Sequence, residues 1–404
     1  MPDMLWSPQQ DEALLAVKRW LASGRPQVFR LFGFAGTGKT TLARHLAEGI
    51  DGEVYFASYT GKAAHVLRQK GCRGASTIHS LIYNTREKSA SALKEMEADL
   101  AGLRVRNLGE SPQAKELERS ILKERENLSQ PSFRLNTASS IKDASLIIID
   151  ECSMVDGKMG EDLLWFGVPV LVLGDPAQLP PVAGGGFFTE TTPDIMLTEI
   201  HRQAKDNPII EMATIVREGG RLQLGTYGES SYIRRSDVSP EMVLQSDQIL
   251  VGRNKTRRAS NNRYRSLLGR DAPHPVIGEK LVCLRNNHDL GLLNGSLWSA
   301  TAIGDIYEDR IFMDVSAQDD DLVLEGVESH MHYFDGRDEK LAWWERKEAQ
   351  EFDYGYAMTV HKGQGSQFNT VFMFDESGAF REHRARWLYT GITRAAEKIT
   401  IVES

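Results

Sequence analysis

The stretch Leu31-Phe32-Gly33-Phe34-Ala35-Gly36-Thr37-Gly38-Lys39-Thr40-Thr41 decides how this chain folds. Its spacing is G-x-x-x-x-G-K-T, and its context is that of a phosphate-binding loop. Before it, Val28, Phe29, Leu31 and Phe32 read as a buried strand, and after it Thr40 to Ala47 read as a helix that begins inside the motif. Glycines let successive backbone N–H groups turn towards one point, and the helix N-terminus adds partial positive charge there. Lys39 would reach the β- and γ-phosphates of a nucleoside triphosphate, and the Thr40 hydroxyl would ligate Mg²⁺. A P-loop names the fuel; the other motifs must say what it drives.

Working outward, the apolar run Leu146-Ile147-Ile148-Ile149 ends in Asp150-Glu151. Such a run reads as a central parallel strand buried on both faces. Beyond it, Asp150 would hold Mg²⁺ and Glu151 would position or deprotonate an attacking water, which points to hydrolysis. Val170-Leu171-Val172-Leu173 is a second such strand, ending in Gly174-Asp175-Pro176-Ala177-Gln178. The Gln178 amide can bond a phosphate oxygen and a water at once, as a γ-phosphate sensor would. Arg202 and Arg394 fit guanidinium groups offered from a second domain to the transferring phosphoryl.

The alternation of strands and helices over the first 80 residues is the α/β signature. Ser7 and Gln10 have capping-box spacing ahead of a helix with Ala13, Leu14, Val17 and Trp20 on one face. From Arg86 to Glu126 the pattern changes to nine basic and nine acidic residues. Apolar positions at Leu93, Met96, Leu100 and Leu103, then Leu117, Ile121, Leu122 and Leu128, predict two helices with solvated charged faces, broken near Asn107–Pro112. A second α/β region is expected from about Asp194, with strands at Ile249–Val251, Val371–Phe374 and Ile399–Val402. It is interrupted between about Gly278 and Glu351 by short alternating segments that suggest a small β-barrel.

Composition narrows the classes. Hydrophobic content of 41% and charged content of 26% fit a soluble globular protein. There is no apolar run of membrane-spanning length, and the first residues lack a signal-peptide pattern. Cys72, Cys152 and Cys283 have no metal spacing and suit a reducing cytoplasm. A formal net charge of −8 excludes a generally basic surface but leaves room for a local positive stripe. Thr60, Lys62, Thr77, His79, Asn254, Thr359, His361 and Lys362 are short polar or basic groups suited to phosphates. Phe133, Trp298, Trp343 and Trp344 are candidates for base stacking, with core packing as the alternative.

These motifs, in this order, resemble those of superfamily 1B DNA helicases of the RecD-like and phage Dda-like group. Gln10 matches the Q motif, and Gly33 to Thr40 matches motif I. Segments Ser58–Lys62 and Ser76–Ser80 resemble motifs Ia and Ib. Asp150–Ser153, Gly174–Pro181, Glu199–Gln203, Tyr356–Phe368 and Trp387–Arg394 are similar to motifs II to VI. Gln367 stands where the family often has Glu.

The resemblance implies two RecA-like cores: domain 1A at 1–82 and 140–192, and domain 2A at 193–277 and 352–404. A helical 1B insertion at 83–139 and an SH3-like 2B barrel at 278–351 complete the expected fold. It implies ATP and Mg²⁺ as cofactors, with Gln10, Gly33, Gly36, Thr37, Gly38, Lys39, Thr40, Thr41 and Gly365 around the nucleotide. It implies movement 5′ to 3′ on single-stranded DNA, opening of duplex or forked DNA, and activity as a monomer in a bacterial cytoplasm, with a phage as an alternative source; Phe133, next to the 1B insertion, is a separate candidate for the tip that splits the fork. Single-strand-binding, replication or recombination proteins are the implied partners. The alternative is a translocase or motor subunit of a RecD-type recombination or nuclease complex.

Overall fold

The computed structural model describes residues 6–86, 91–106, 111–129, 132–180, 186–199, 207–287, 289–341 and 343–403. Helix α1 (Pro8–Ser23) starts at Ser7, where the predicted capping box forms, and stops at Gly24 with φ 67°. It buries Ala13, Leu14, Val17 and Trp20. The first core then runs β1 (Val28–Gly33), α2 (Lys39–Glu48), β2 (Val54–Ser58), α3 (Gly61–Gln69), β3 (Ser76–Thr77) and α4 (Ile78–Ile82). After an insertion formed by β4 (Tyr83–Arg86), α5 (Ser91–Val105), α6 (Pro112–Ser129) and β5 (Ser132–Leu135), it resumes with β6 (Leu146–Asp150), α7 (Gly157–Leu164), β7 (Val170–Gly174) and β8 (Ile195–Leu197).

The six core strands lie in the order β3-β2-β6-β7-β1-β8, all parallel. A parallel sheet must be covered on both faces, and the apolar runs supply both. In β6, Leu146 and Ile148 point into a cluster with α1 and α2, while Ile147 and Ile149 point into a cluster with Ile78 and Leu163. Each such side chain stabilises the fold by about 1.5–3 kcal/mol relative to its exposed state.

The second core contains α8 (Pro208–Arg217), β9 (Gly225–Tyr227), β10 (Ser230–Ile233), α9 (Pro240–Leu244), β11 (Gln248–Val251) and α10 (Asn254–Leu267). A small β region follows: β12 (Lys280–Cys283), β13 (Leu297–Tyr307), β14 (Arg310–Ala317), β15 (Val323–His330), α11 (Met331–Asp335), α12 (Trp343–Glu348) and β16 (Phe352–Tyr354). The chain returns to the second core through β17 (Ala357–Thr359), β18 (Phe368–Phe374), α13 (Arg384–Ile392) and β19 (Ala395–Val402). Its sheet has the order β17-β11-β18-β19-β10-β9, parallel except for the β9–β10 hairpin.

Two boundaries differ from expectation. Strand β8 pairs with β1, so the first core extends through Leu197 rather than ending near residue 192. Three residues are too few to carry a periodicity, and only the sheet edge shows where they belong. Likewise β16 pairs with β12 and belongs to the small antiparallel sheet, ordered β15-β14-β13-β12-β16, so the second core resumes after Tyr354. The edges of that sheet approach each other where Ser329 bridges to Gln350. Its core buries Trp298, which removes that residue from the stacking candidates. Of Trp343 and Trp344, the side chains lie outside what is described.

The charged insertion is a helical hairpin on a two-stranded stem, β4 with β5. Leu93, Leu100, Ala114 and Ile121 form its seam, joined by Met96, Leu103 and Leu117. Leu122 was expected on that seam but is 64% exposed, because Ile121 beside it already faces α5. Arg104 and Glu118 pair across the two helices at 2.8 Å.

Replacing a central strand residue tests this layering. Leu171→Ala, at a fully buried position of β7, is expected to lower the unfolding free energy by about 2–5 kcal/mol in a denaturant titration.

Candidate active site and nucleic-acid interface

In both sheets the parallel strands end on polar residues, as open α/β sheets place their sites. Strand order separates two jobs. The P-loop, Asp150 and Asp175 follow β1, β6 and β7, in the middle of the first sheet. The nucleic-acid candidates Thr60, Lys62, Thr77 and His79 follow β2 and β3, at one side of it. In the second sheet Asn254 follows β11, and Thr359, His361 and Lys362 follow β17, again the outermost pair of strands.

The P-loop turns through Gly36 and Gly38, both at φ 80°, a region that side chains other than glycine rarely adopt. Helix α2 begins at Lys39, so its free N–H groups face the loop. The Lys39 ammonium donates to the carbonyls of Gly33 (2.6 Å) and Phe34 (3.1 Å). The Thr40 hydroxyl donates to Asp150 Oδ2 at 2.9 Å, and Asp150 Oδ1 accepts the Glu151 N–H at 2.9 Å. A hydroxyl and a carboxylate so joined are the hard oxygen donors a magnesium ion on a nucleotide uses.

Glu151 has φ 54° and ψ 46°, a left-handed conformation that strains a residue with a side chain. Burial holds its carboxyl above the ordinary glutamate range. Arg394, with Nη1 3.9 Å from Glu151 Oε1, draws it partly back, and Asp150 opposes that. Arg394 is itself buried and aimed by bonds from Nε to the Thr390 carbonyl and from Nη1 to the Ser366 carbonyl. Gln178 is buried with its Oε1 unpartnered within the protein, so the amide has bonding capacity to offer a ligand.

These groups line one cavity of about 360 Å³. The first core contributes Gly36, Gly38, Lys39, Thr40, Thr41, Asp150, Glu151 and Gln178, and the second contributes Gly365, Ser366, Gln367 and Arg394. Thr37 is buried beside it and donates its hydroxyl to the Phe34 carbonyl. Gln10 is the cap the spacing predicts, and its Nε2 also donates to the Thr37 carbonyl at 3.0 Å. Arg202 lies outside the described residues.

Several residues that join the cores were not singled out from sequence. The Tyr389 hydroxyl donates to Asp175 Oδ2 at 2.7 Å and accepts the Ala35 N–H at 3.0 Å. Leu179 N–H donates to Thr390 Oγ1 at 2.9 Å, and Gln364 Nε2 donates to the Leu179 carbonyl at 3.1 Å. The Arg217 guanidinium lies 3.8 Å from the ring centre of Phe34. Tyr389 and Asp175 sat inside quoted motifs, but nothing local says that they pair.

Among the nucleic-acid candidates, Thr60 and Thr77 cap α3 and α4 by accepting the N–H groups of Ala63 and Ser80. Phe133 is 39% exposed on the stem strand β5 and packs on His79 and Tyr83, with ring centres 5.1 and 5.8 Å away. Burial lowers the pKa of His79, of His361 and of Lys362, where Arg257 lowers it further. Lys62 is not open to solvent: it pairs with Asp319 of the β14–β15 loop.

The chain is similar to several known proteins. The AAA domain family model matches residues 6–238, and the UvrD-like helicase C-terminal domain model matches residues 354–402. The ATP-dependent RecD2 DNA helicase of Deinococcus radiodurans is 26% identical over 400 residues, covering 91% of this chain and 46% of that protein. The probable conjugal transfer protein TraA of Sinorhizobium fredii is 23% identical over 393 residues, covering 85% and 33%. The chain thus spans less than half the length of these curated relatives. Among solved structures, Bacteroides Pif1 helicase in complex with ADP-AlF3 and single-stranded DNA superposes with a TM-score of 0.54 at 17% identity, covering 98% of this chain and 92% of that one. A Pif1 helicase structure concerned with unwinding of forked DNA gives 0.55 at 18%, with the same coverage. At these identities the likeness shows the fold.

Tyr389→Phe removes one hydroxyl and leaves the Asp175 carboxylate without that donor. It is expected to lower the unfolding free energy by about 1–3 kcal/mol in a denaturant titration. Tyr307→Phe, at a position 68% exposed, should leave the midpoint unchanged.

Proposed function

The chain belongs to the AAA-domain family, and from that premise we propose that it is an ATP-dependent DNA helicase moving 5′ to 3′ on single-stranded DNA. The observation that carries the proposal is the composite cavity, in which Lys39, Thr40, Asp150, Glu151 and Gln178 of one core face Arg394 of the other. Residues 83–139 are read as the 1B insertion, and the small β region as a 2B domain of SH3-like type.

In this reading Lys39 and the P-loop N–H groups bind the β- and γ-phosphates. Thr40 and Asp150 would hold Mg²⁺, which supplies charge neutralisation at the phosphate oxygens when bound. Gln178 orients a water at the γ-phosphorus, and Glu151 accepts its proton as the bond to ADP breaks. Arg394 stabilises the charge spread over the transferring phosphoryl group, so hydrolysis requires the second core to be in place. Arg202 is retained as a second candidate for that role. Gln10 and Gly365 remain the proposed contacts at the adenine and ribose end.

Closing on ATP and opening after hydrolysis would alternate which core grips the strand. Thr60, Lys62, Thr77 and His79 hold phosphates on the first core; Asn254, Thr359, His361 and Lys362 hold them on the second. Phe133, exposed beside His79, would stack on the base at the junction in this reading. The protein is proposed to work as a monomer on forked DNA in the cytoplasm. Among the described residues, no helix is long and apolar enough to cross a membrane.

Lys39→Ala and Glu151→Gln are each expected to reduce single-strand-stimulated ATP turnover at least about 100-fold. Unchanged turnover in both would overturn the assignment. Glu151 must be ionised to accept a proton, and burial raises its pKa. Activity should therefore be lost as pH falls through a value above the ordinary glutamate pKa of about 4.3, read from kcat/KM against pH. Phe133→Ala should slow strand separation at an unchanged ATPase rate, measured together on a fork substrate.

A further inference from the structure

We infer that the face of α3 bearing Lys62 is held shut by an acidic loop of the small sheet, and that single-stranded DNA binds there by displacing Asp319. The inference rests on the nucleic-acid role proposed above for Lys62.

Three side chains of α3 meet one residue. The Lys62 ammonium pairs with the Asp319 carboxylate, Gln69 Nε2 donates to the Asp319 carbonyl at 3.2 Å, and His65 Nε2 lies 3.3 Å from that same oxygen. Positions 62, 65 and 69 fall on one face of a helix. The Lys62 side chain is only 8% exposed, while that of Asp319 is 40% exposed, so the loop lies over the lysine as a cover. Asp320 and Asp321 follow directly, giving three successive acidic residues.

A second contact seats the same sheet on the same helix end. Leu293, from the loop before β13, packs on Gly61, where an added Cβ would lie 2.8 Å from Leu293 Cδ2. Gly61 thus leaves room for the sheet to dock.

A carboxylate and a phosphodiester are both anionic acceptors, and both suit an ammonium at a helix N-terminus. Phosphates approaching Lys62 would be repelled by Asp319, Asp320 and Asp321, so the two occupants exclude each other. The neighbouring face of α3, with Ala63, Val66 and Leu67, lines the nucleotide cavity. One helix therefore carries the latch on one side and the nucleotide on the other.

Asp319→Asn keeps the loop's size and removes the competing charge. It is expected to bind a fluorescent oligo(dT) about five- to tenfold more tightly than wild type near 0.1 M salt, read by anisotropy, with the advantage shrinking as salt rises. Leu293→Ala should move affinity in the same direction, and DNA-independent ATP turnover should stay unchanged in both. Unchanged or weaker binding in both variants overturns the proposal.

A disulfide provides a readout besides affinity, since Cys72, Cys152 and Cys283 are buried. Gly61→Cys with Leu293→Cys, where a Cβ at position 61 lies 3.1 Å from that of residue 293, should cross-link under a mild oxidant in the free protein and only slowly with saturating oligo(dT). Cross-linking at the same rate with oligonucleotide bound would refute displacement while leaving the ATP site assignment intact. If the wild type hydrolyses ATP but binds no oligonucleotide at any salt, the nucleic-acid reading of α3 fails, and the Lys62–Asp319 pair is a fixed structural tie.

Discussion

A buried hydroxyl holds the two halves of the site in one geometry. Tyr389, from the last helix of the second core, donates to Asp175 at the end of β7 and accepts from Ala35 in the P-loop. Asp175 in turn fixes the turn that presents Gln178, through its bond from the Ala177 N–H at 3.0 Å. Two residues beyond α13 comes Arg394, opposite Glu151. The loop that would cradle phosphate, the amide that would orient water and the guanidinium that would stabilise charge are thus referred to one joint. Such bonds are individually worth about 1 kcal/mol, but leaving a buried carboxylate unpaired costs more, which makes the joint cooperative.

The local chemistry depends on that joint. Glu151 sits in a strained backbone conformation directly after β6, with its carboxyl partly neutralised by Arg394 from the other core. A group whose ionisation is disfavoured by burial and restored by a cation across an interface responds to the interface itself. The same α3 that lines the composite cavity also carries Lys62.

Much of this was legible in the sequence, for reasons that can be named. The P-loop and the runs ending at Asp150 and Gly174 are local patterns, and parallel strands buried on both faces must be continuously apolar. The helical hairpin showed its period, and of the seven expected positions whose side chains are described its seam holds six: Leu93, Met96, Leu100, Leu103, Leu117 and Ile121. What was not legible is pairing at a distance. Tyr389 and Asp175 are 214 positions apart, and Lys62 and Asp319 are 257 apart. Lys62 reads as a phosphate ligand until the loop that covers it is seen. Strand β8 is too short for a pattern, so the edge of the first core was misplaced by a few residues. Trp298 looked like a stacking candidate because type and position alone do not distinguish a core aromatic from an exposed one.

The proposed role of hydrolysis in the composite cavity is to drive directional movement along one DNA strand. It is tested most directly by strand separation on two matched duplexes, one with a 5′ single-stranded tail and one with a 3′ tail, with ATP turnover followed in the same reactions. The 5′-tailed duplex is expected to open and the 3′-tailed one to stay closed, while both tails stimulate turnover. Equal opening from both tails, or turnover indifferent to DNA, would contradict it.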